Sequence, residues 1–346
     1  MEIDAGVFTT TMNFDQAIKL IESAQNILIT THVRPDGDAV GCVVALKQLI
    51  EKSAPRVGLA CNIQLLFLSS IPANYQFLLC EPPWILGADL TKEQIEQGEL
   101  DRFDLIVILD TGALRQLPDL DKYLSRREKP ILVIDHHLNG DDLGTCQLID
   151  TAAAATGEII FDLAQHAGWP LNEEIASALF AAIGADTGWV RFPNTSAHTL
   201  EIAARLVAAG AEPDHLYREL MQSYPPERLK LLALTLQTLE LLCDNRLAVM
   251  HITKDMLAQS GAERTLIENI VNEPQQIASV VVSLLLVERD DGATRASLRS
   301  REPVDVSKIA QQFGGGGHAQ AAGATLNLPL HQARRTLIEA VAKALN

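Results

Sequence analysis

Basic residues are scarce in this chain: 28 Lys and Arg stand against 44 Asp and Glu, for a formal net charge of -16. Sequence-independent grip on long duplex DNA needs a broad basic face, so that class of partner is excluded. A small anionic substrate stays open where local charge or a bound metal overrides the global sign. Cysteine is also sparse. Cys42, Cys61, Cys80, Cys146 and Cys243 are odd in number, scattered and free of any C-x-x-C pair. Neither a disulfide framework nor a zinc knuckle is indicated, and buried small hydrophobes are the simpler reading. Long apolar runs are missing too: the longest, ASVVVSLLLV at 278–287, is about half a membrane span. The opening MEIDAGVFTT has neither the basic nor the apolar region of a signal peptide. Together these absences predict a cytoplasmic protein with no membrane partner.

What is present is the composition of a soluble globular protein, 47% hydrophobic and 21% charged, at a length of 346 residues that suits two domains. Asn13 and Gln16 stand in capping-box spacing ahead of a helical pattern. Apolar strands follow at 26–32, 62–69, 104–110 and 130–137, with a helix at 39–52 and further helices at 156–168 and 172–184. Strands separated by helix-length segments predict an α/β domain, a mostly parallel sheet with helices on both faces. From 197 to 243 the pattern is helical, broken by GAEPD and SYPPE. Beyond it, strands at RLAVMHIT and in ASVVVSLLLVERDDGATRASLRSR, the latter joined as a hairpin at Asp-Asp-Gly, predict a smaller α+β C-terminal domain. That domain ends with a helix at 305–313, the run GGGGHAQAAG, a short strand at 324–328 and a helix from about 331. The boundaries are therefore 1–196, 197–243 and 244–346.

In an open parallel sheet, ligands bind outside the carboxyl ends of the strands. The polar residues of this chain collect there. His32 ends the first strand, Asp110 ends DLIVILD, and Asp135, His136 and His137 end PILVIDHH. Asp36 and Asp38 lie in the loop after the first strand, where Pro35 fixes one torsion and Gly37 permits a tight bend. Asp186, in GADTG, follows an apolar helix and is able to enter the same crevice. Each element alone has a plain alternative: a surface turn with Asp38 as a helix cap, a structural histidine, or a capping Asp110. Their co-occurrence favours a metal site, because so many carboxylates without a counter-ion would repel one another. Carboxylate and imidazole ligands without thiolate suit Mn²⁺ or Mg²⁺, with Fe²⁺, Co²⁺ or Zn²⁺ allowed. Two ions about 3.5–4 Å apart activate water and stabilise both oxygens of a phosphoryl displacement.

A second cluster lies near the end. The run FGGGGHAQAAG at 313–323 reads either as a linker or as an anion-binding loop, with Gly315, Gly316 and Gly317 converging their amides, a helix start after them, and His318 donating to phosphate. It lacks the Lys-Ser/Thr of a nucleotide P-loop. Arg299 and Arg301, two apart on a predicted strand, share one face, whether solvated or phosphate-binding. Residues 295–346 hold seven Lys and Arg against three Asp and Glu, which makes phosphate binding there credible. Arg191, in RFPNTS, is a further cation beside Asp186, unless that stretch is only a helix cap.

The segments HVRPDGDAVG, ILDTG, VIDHH and GADTG resemble the four motifs of the DHH phosphoesterase superfamily, and RASLRSR with GGGGHAQAAG resembles its associated C-terminal domain. The resemblance runs from about residue 13 to the end. It is strongest to the compact two-domain members that degrade very short oligoribonucleotides and dephosphorylate 3'-phosphoadenosine 5'-phosphate (PAP). It implies that His32, Asp36 and Asp110 hold one Mn²⁺ and that Asp38, Asp110, His136 and Asp186 hold another, with Asp110 bridging. Asp135 then orients a histidine, and His137 contacts phosphate or assists the leaving oxygen. Arg299, His318 and the amides of Gly315 to Gly317 bind the terminal phosphate or nucleotide in an interdomain cleft. Cys42 stands where relatives often carry serine and is expected to tune packing.

The expected reaction is metal-dependent phosphoester hydrolysis, with a bridging hydroxide attacking phosphorus. Its expected substrates are short single-stranded RNA, cleaved to 5'-mononucleotides, and small nucleotides such as PAP. Alternatives are cyclic or linear dinucleotide (c-di-AMP or pApA) phosphodiesterase activity, an exopolyphosphatase-like phosphatase, and a non-catalytic nucleotide-binding module. Mg²⁺ and Co²⁺ remain alternatives to Mn²⁺, and a homodimer stays open.

Overall fold

The computed structural model describes residues 13–57, 61–138 and 140–345. They form two compact units, one running to Ser223 and the other from Tyr224. In the first, α1 (Phe14–Ser23) is capped by Asn13, whose side chain accepts from Gln16 N. It leads into β1 (Asn26–Thr31), α2 (Gly37–Val57) and β2 (Asn62–Phe67). There follow β3 (Trp84–Ile85), α3 (Lys92–Glu96), β4 (Leu105–Leu109), α4 (Asp121–Arg126), β5 (Ile131–Asp135) and β6 (Cys146–Ile149). Helices α5 (Thr156–His166), α6 (Glu173–Asp186), α7 (Ala197–Ala208) and α8 (Pro213–Met221) complete it. The sheet order is β3-β2-β1-β4-β5-β6, with every pairing parallel.

Both faces of this sheet are covered, as uninterrupted apolar strands require. Ile27, Ile29, Phe67, Val107, Leu109 and Ile134 pack in one core with α1, α2, α5 and α6. Leu28, Leu66, Ile106, Ile108 and Val133 pack in the other with Ile95 of α3 and Leu124 of α4. The alternation follows from the two-residue period of a strand. Each fully buried side chain of this size contributes about 1.5–3 kcal/mol. The edge strands β3 and β6 escape the sequence reading because two and four residues carry no period of their own.

Register determines where the polar residues fall. Thr31 pairs with Leu109, and Leu109 with Ile134, so His32, Asp110 and Asp135 continue from three neighbouring strands at one rim. Helix α6 brings Asp186 at its last turn, lying against α2. A Cβ at Gly41 of α2 would fall 2.4 Å from Ala178 O and 2.9 Å from Ala182 Cβ of α6, so glycine is what permits this approach.

The second unit comprises α9 (Pro226–Leu236), β7 (Glu240–Leu242), β8 (Leu247–Ile252), α10 (Lys254–Ser260), β9 (Val282–Glu288) and β10 (Thr294–Ser300). It continues with α11 (Val306–Gln311), β11 (Gly316–His318), β12 (Ala321–Leu326) and α12 (Leu330–Leu345). Its sheet order is β11-β12-β10-β9-β8-β7, in which β8 and β9 are parallel and the other pairs antiparallel. The expected hairpin at Asp290–Gly292 is present, closed by Arg289 N donating to Ala293 O at 2.9 Å.

The glycine run differs from expectation. No helix starts after it; Gly316–His318 is an edge strand paired with β12, Gly317 opposite Ala322. A Cβ at Gly315 would lie 2.2 Å from Gly323 O, and one at Gly317 2.4 Å from Ala321 O. These two glycines serve close strand packing, and the Gly315 amide, expected to face an anion, donates instead to Ala310 O at 2.9 Å. Among the described residues, no helix is long and apolar enough to cross a membrane.

Candidate metal centre

The loop after β1 is bent by Arg34, not by Gly37 as the sequence suggested. Arg34 has a φ of +60°, and its N donates to Ser69 Oγ at 2.8 Å. Gly37 instead begins α2, two residues earlier than expected, and a Cβ there would meet Ala185 Cβ at 2.6 Å. Asp36 takes the capping position: its Oδ1 accepts from Ala39 N at 3.1 Å. Asp38 is therefore free of that duty and points into the protein, fully buried. Its Oδ2 accepts from Thr156 N at 2.6 Å and its Oδ1 from Gly157 N at 3.0 Å, so the carboxylate sits on the first turn of α5. The unpaired amides and positive end of a helix favour an anion there. Cys42 does more than pack. Lying one turn after Asp38, it donates its thiol to Asp38 Oδ1 at 3.1 Å.

Asp110 has a φ of +60°, a left-handed conformation uncommon outside glycine, at the point where β4 ends. Its Oδ1 accepts from Thr156 Oγ1 at 3.0 Å. His32 places Nδ1 3.1 Å from Val33 O, which turns Nε2 toward Asp110 Oδ2 at 3.4 Å and Asp36 Oδ1 at 3.9 Å. His136 is held similarly by Ala153 O, 3.3 Å from its Nδ1. Its Nε2 lies 3.1 Å from Asp186 Oδ2, 3.6 Å from Asp110 Oδ1 and 4.0 Å from Asp38 Oδ2. That nitrogen is buried yet off-line for any hydrogen bond. Asp135 Oδ1 accepts from His137 N at 3.1 Å and lies 2.7 Å from His137 Nδ1, so it orients His137 rather than His136.

Among the described residues, three overlapping sets emerge, each with donor atoms within 4.8 Å of one another: His32, Asp36 and Asp110; Asp110, His136 and His137; Asp38, His136 and Asp186. Burial, then Asp38, Asp36 and Asp186, push the Asp110 carboxyl well above the usual range. Burial likewise lifts Asp186, to about 6. Burial opposes charge on His136, but Asp186, Asp38 and Asp110 outweigh it and raise the imidazole to about 10. Burial also works against ionised Asp135, yet the bonds from His137 hold its carboxyl below the ordinary value. The thiol of Cys42 is raised by burial and by the neighbouring Asp38. A concentration of carboxylates with an orphaned imidazole nitrogen fits divalent cations, which remove the repulsion and replace the proton on that nitrogen.

The remaining expected residues are not members of these sets. Arg191 is exposed on the turn after α6, with Nε donating to Gly188 O at 2.6 Å. Arg299 is half-buried on β10; burial lowers its pKa, with Glu268 opposing. Arg301 follows the strand end and donates to Gln275 O and to Ala278 O. The His318 side chain lies outside the described residues.

The DHH family, N-terminal domain, matches residues 26–183, and the DHHA1 domain matches residues 244–346. The bifunctional oligoribonuclease and PAP phosphatase NrnA of Thermus thermophilus is 30% identical to this chain, over 95% of this chain and 93% of that protein. The chain belongs to the DHH family. NrnA of Bacillus subtilis is 28% identical over 90% of this chain and 92% of its own length. An exopolyphosphatase-related protein from Bacteroides fragilis has the same fold, with a TM-score of 0.89 and 23% identity over 95% of each chain.

In this DHH-family chain the N-terminal match includes every clustered residue except Asp186, which lies three residues past its end. Other contributors were not legible from the sequence. Thr156 binds both Asp38 and Asp110, and Ala153 O orients His136. Asn194 Nδ2 donates to Asp186 O and to Ala154 O, both at 3.1 Å, while Ala154 N donates to Glu158 Oε2 at 3.1 Å. The one available signal was Thr156 at the start of a predicted helix, where free amides attract an anion.

Proposed function

We propose that this chain is a divalent-metal-dependent phosphoesterase that hydrolyses short oligoribonucleotides to 5'-mononucleotides and removes the 3'-phosphate of PAP. The observation that carries this reading is the convergence of Asp36, Asp38, Asp110, Asp186, His32 and His136 at one sheet rim, with the buried His136 Nε2 lacking a hydrogen-bond partner. The names of the NrnA relatives, matched along nearly their whole length, support the substrate class.

In this reading His32, Asp36 and Asp110 hold one ion, and Asp38, Asp110, His136 and Asp186 hold a second. Mn²⁺ is the favoured cation for an oxygen and imidazole donor set. When bound, such ions supply an activated water and neutralise charge on the phosphoryl group. Asp110 is shared because its two oxygens face His32 and His136 separately. Thr156 keeps its carboxylate in that pose, and Ala153 O directs the second nitrogen of His136 to the ions. His137, steadied by Asp135, contacts the phosphate or assists the leaving oxygen. Arg191 faces the substrate phosphate. In the second unit Arg299, the backbone of Gly316 and Gly317 and His318 bind the terminal phosphate.

The test is a hydrolysis panel of dinucleotide, short RNA, PAP and duplex DNA with Mn²⁺, Mg²⁺ or Co²⁺. Wild type turns over the first three, and Asp110→Ala abolishes turnover. Retained turnover in that variant overturns the assignment.

A further inference from the structure

The segment after α6 departs from ordinary backbone. Gly188, Trp189 and Val190 have φ of +55°, +60° and +58°, three successive left-handed residues of which one is bulky and one β-branched. That conformation is disfavoured for any residue with a Cβ, most of all when branched, and it persists only where its surroundings over-determine it. Here they do. Trp189 N donates to Gly184 O at 2.8 Å and Val190 N to Thr187 Oγ1 at 3.1 Å, while Arg191 N and Phe192 N both donate to Thr187 O at 2.9 Å. The Trp189 ring is anchored inward, 5.0 Å from Tyr217 and 6.2 Å from Phe180 between centroids.

This fixed turn displays apolar surface. Phe192 is 48% exposed, beside the exposed Arg191. The ring is nonetheless braced: a Cβ at Gly188 would lie 2.4 Å from its Cζ, so the ring tip rests directly against the glycine. The turn is also tied to the metal centre, since Asn194 Nδ2 donates to the carbonyl of Asp186, whose carboxylate is 3.1 Å from His136 Nε2. A rigid aromatic ring and a cation, adjacent in sequence and fastened to a ligand-bearing residue, match the two parts of a nucleotide.

We propose that Phe192 is a nucleobase platform, on which the base of the nucleotide carrying the reacting phosphate stacks. This rests on the phosphoesterase reading and names the part of the substrate that its phosphate contacts leave unrecognised. Stacking on a ring face is tolerant of base identity, so the platform distinguishes nucleotides from base-free phosphates without selecting a sequence.

The experiment uses the full chain with Mn²⁺ and two substrates, 5'-phosphorylated diadenylate and the matching compound lacking both bases. Phe192→Ala raises KM for the base-bearing substrate roughly tenfold with little change in kcat, from the usual worth of one stacked base. The same variant leaves KM for the base-free substrate unchanged. Phe192→Trp retains wild-type KM, whereas Phe192→Leu, which still fills the space against Gly188, behaves like Phe192→Ala. A 2-aminopurine dinucleotide is quenched on binding to wild type and not on binding to Phe192→Ala. Equal KM for wild type and Phe192→Ala on diadenylate, or wild-type behaviour of Phe192→Leu, overturns the platform alone. Absence of wild-type turnover on both substrates overturns the phosphoesterase reading, and the platform with it.

Discussion

Replacing Asp110 by Asn should make the metal-free protein more stable and the metal-loaded protein less so. Asp110 Oδ1 and Asp186 Oδ2 lie 3.6 and 3.1 Å from the same His136 nitrogen, so they are no more than about 7 Å apart. At an effective dielectric near 20, two such charges repel by about 2 kcal/mol. Asp38 and Asp36 add to the repulsion, and His136, charged at neutral pH, cancels part of it. A ceiling also applies. At pH 7 the penalty on one carboxylate stays below about 4 kcal/mol, because beyond that the group takes up a proton instead. A net gain of about 2 kcal/mol is therefore expected, about 4–8 °C in Tm for a unit of this size. Asn retains the oxygen that accepts from Thr156 Oγ1 and tolerates the left-handed backbone. In EDTA the variant melts above wild type. With Mn²⁺ at about a hundred times its Kd, wild type gains about 2.7 kcal/mol and overtakes a variant that gains little. The raised pKa means that the folded state holds the extra proton, so wild type loses stability as pH rises above the ordinary carboxylate value. The advantage of the variant thus grows from pH 5 to pH 7. Thermal melts with and without metal at both pH values provide the check, and a variant that melts below wild type in EDTA at pH 7 refutes the reasoning.

Other expectations follow from the same geometry. The pKa of His136 is raised to about 10, so its ion pairs stabilise the metal-free fold fully below about pH 6.5 and are lost as pH climbs toward 10. Because a cation must displace that proton, Mn²⁺ affinity measured by calorimetry should increase from pH 6 to pH 9; a flat profile would contradict the ligand role. Gly41→Ala should lower Tm, since overpacking α2 against α6 costs about 1–3 kcal/mol or more and exceeds the roughly 1 kcal/mol gained in helix propensity. Unchanged or raised Tm would show that the helices separate freely. Asn194→Ala frees the carbonyls of Asp186 and Ala154, and should weaken Mn²⁺ binding about 10–100-fold, as loss of a ligand-orienting partner typically does. Wild-type metal affinity in that variant would make Asn194 a bystander.

The parallel sheet and the cluster were legible because the physics that places them is local. Apolar strand runs end in His32, Asp110 and Asp135, and parallel pairing then needs only the right register to align them. What escaped was of another kind. Asp38 meets Thr156 across 118 positions through backbone amides, and no residue pattern announces an amide. Cys42 read as packing because its acceptor lies one helical turn away, and a buried thiol and a buried methyl look alike in sequence. The glycine run was ambiguous for the opposite reason: with no side chains to pattern, it is compatible with a linker, an anion loop or an edge strand. Its pairing with β12 and the collisions that a Cβ would meet at Gly315 and Gly317 place it at the sheet edge instead of in a linker.

The placement of the cluster on β1, β4 and β5 carries a dynamic consequence. These strands lie inside the six-stranded sheet, flanked by β2 and β6, so their amides should be the slowest to exchange with solvent. Fraying that begins at β3 or β6 would leave the frame beneath His32, Asp110 and Asp135 intact. The geometry of the cluster would then outlast partial opening of the domain and disappear only when the sheet itself comes apart.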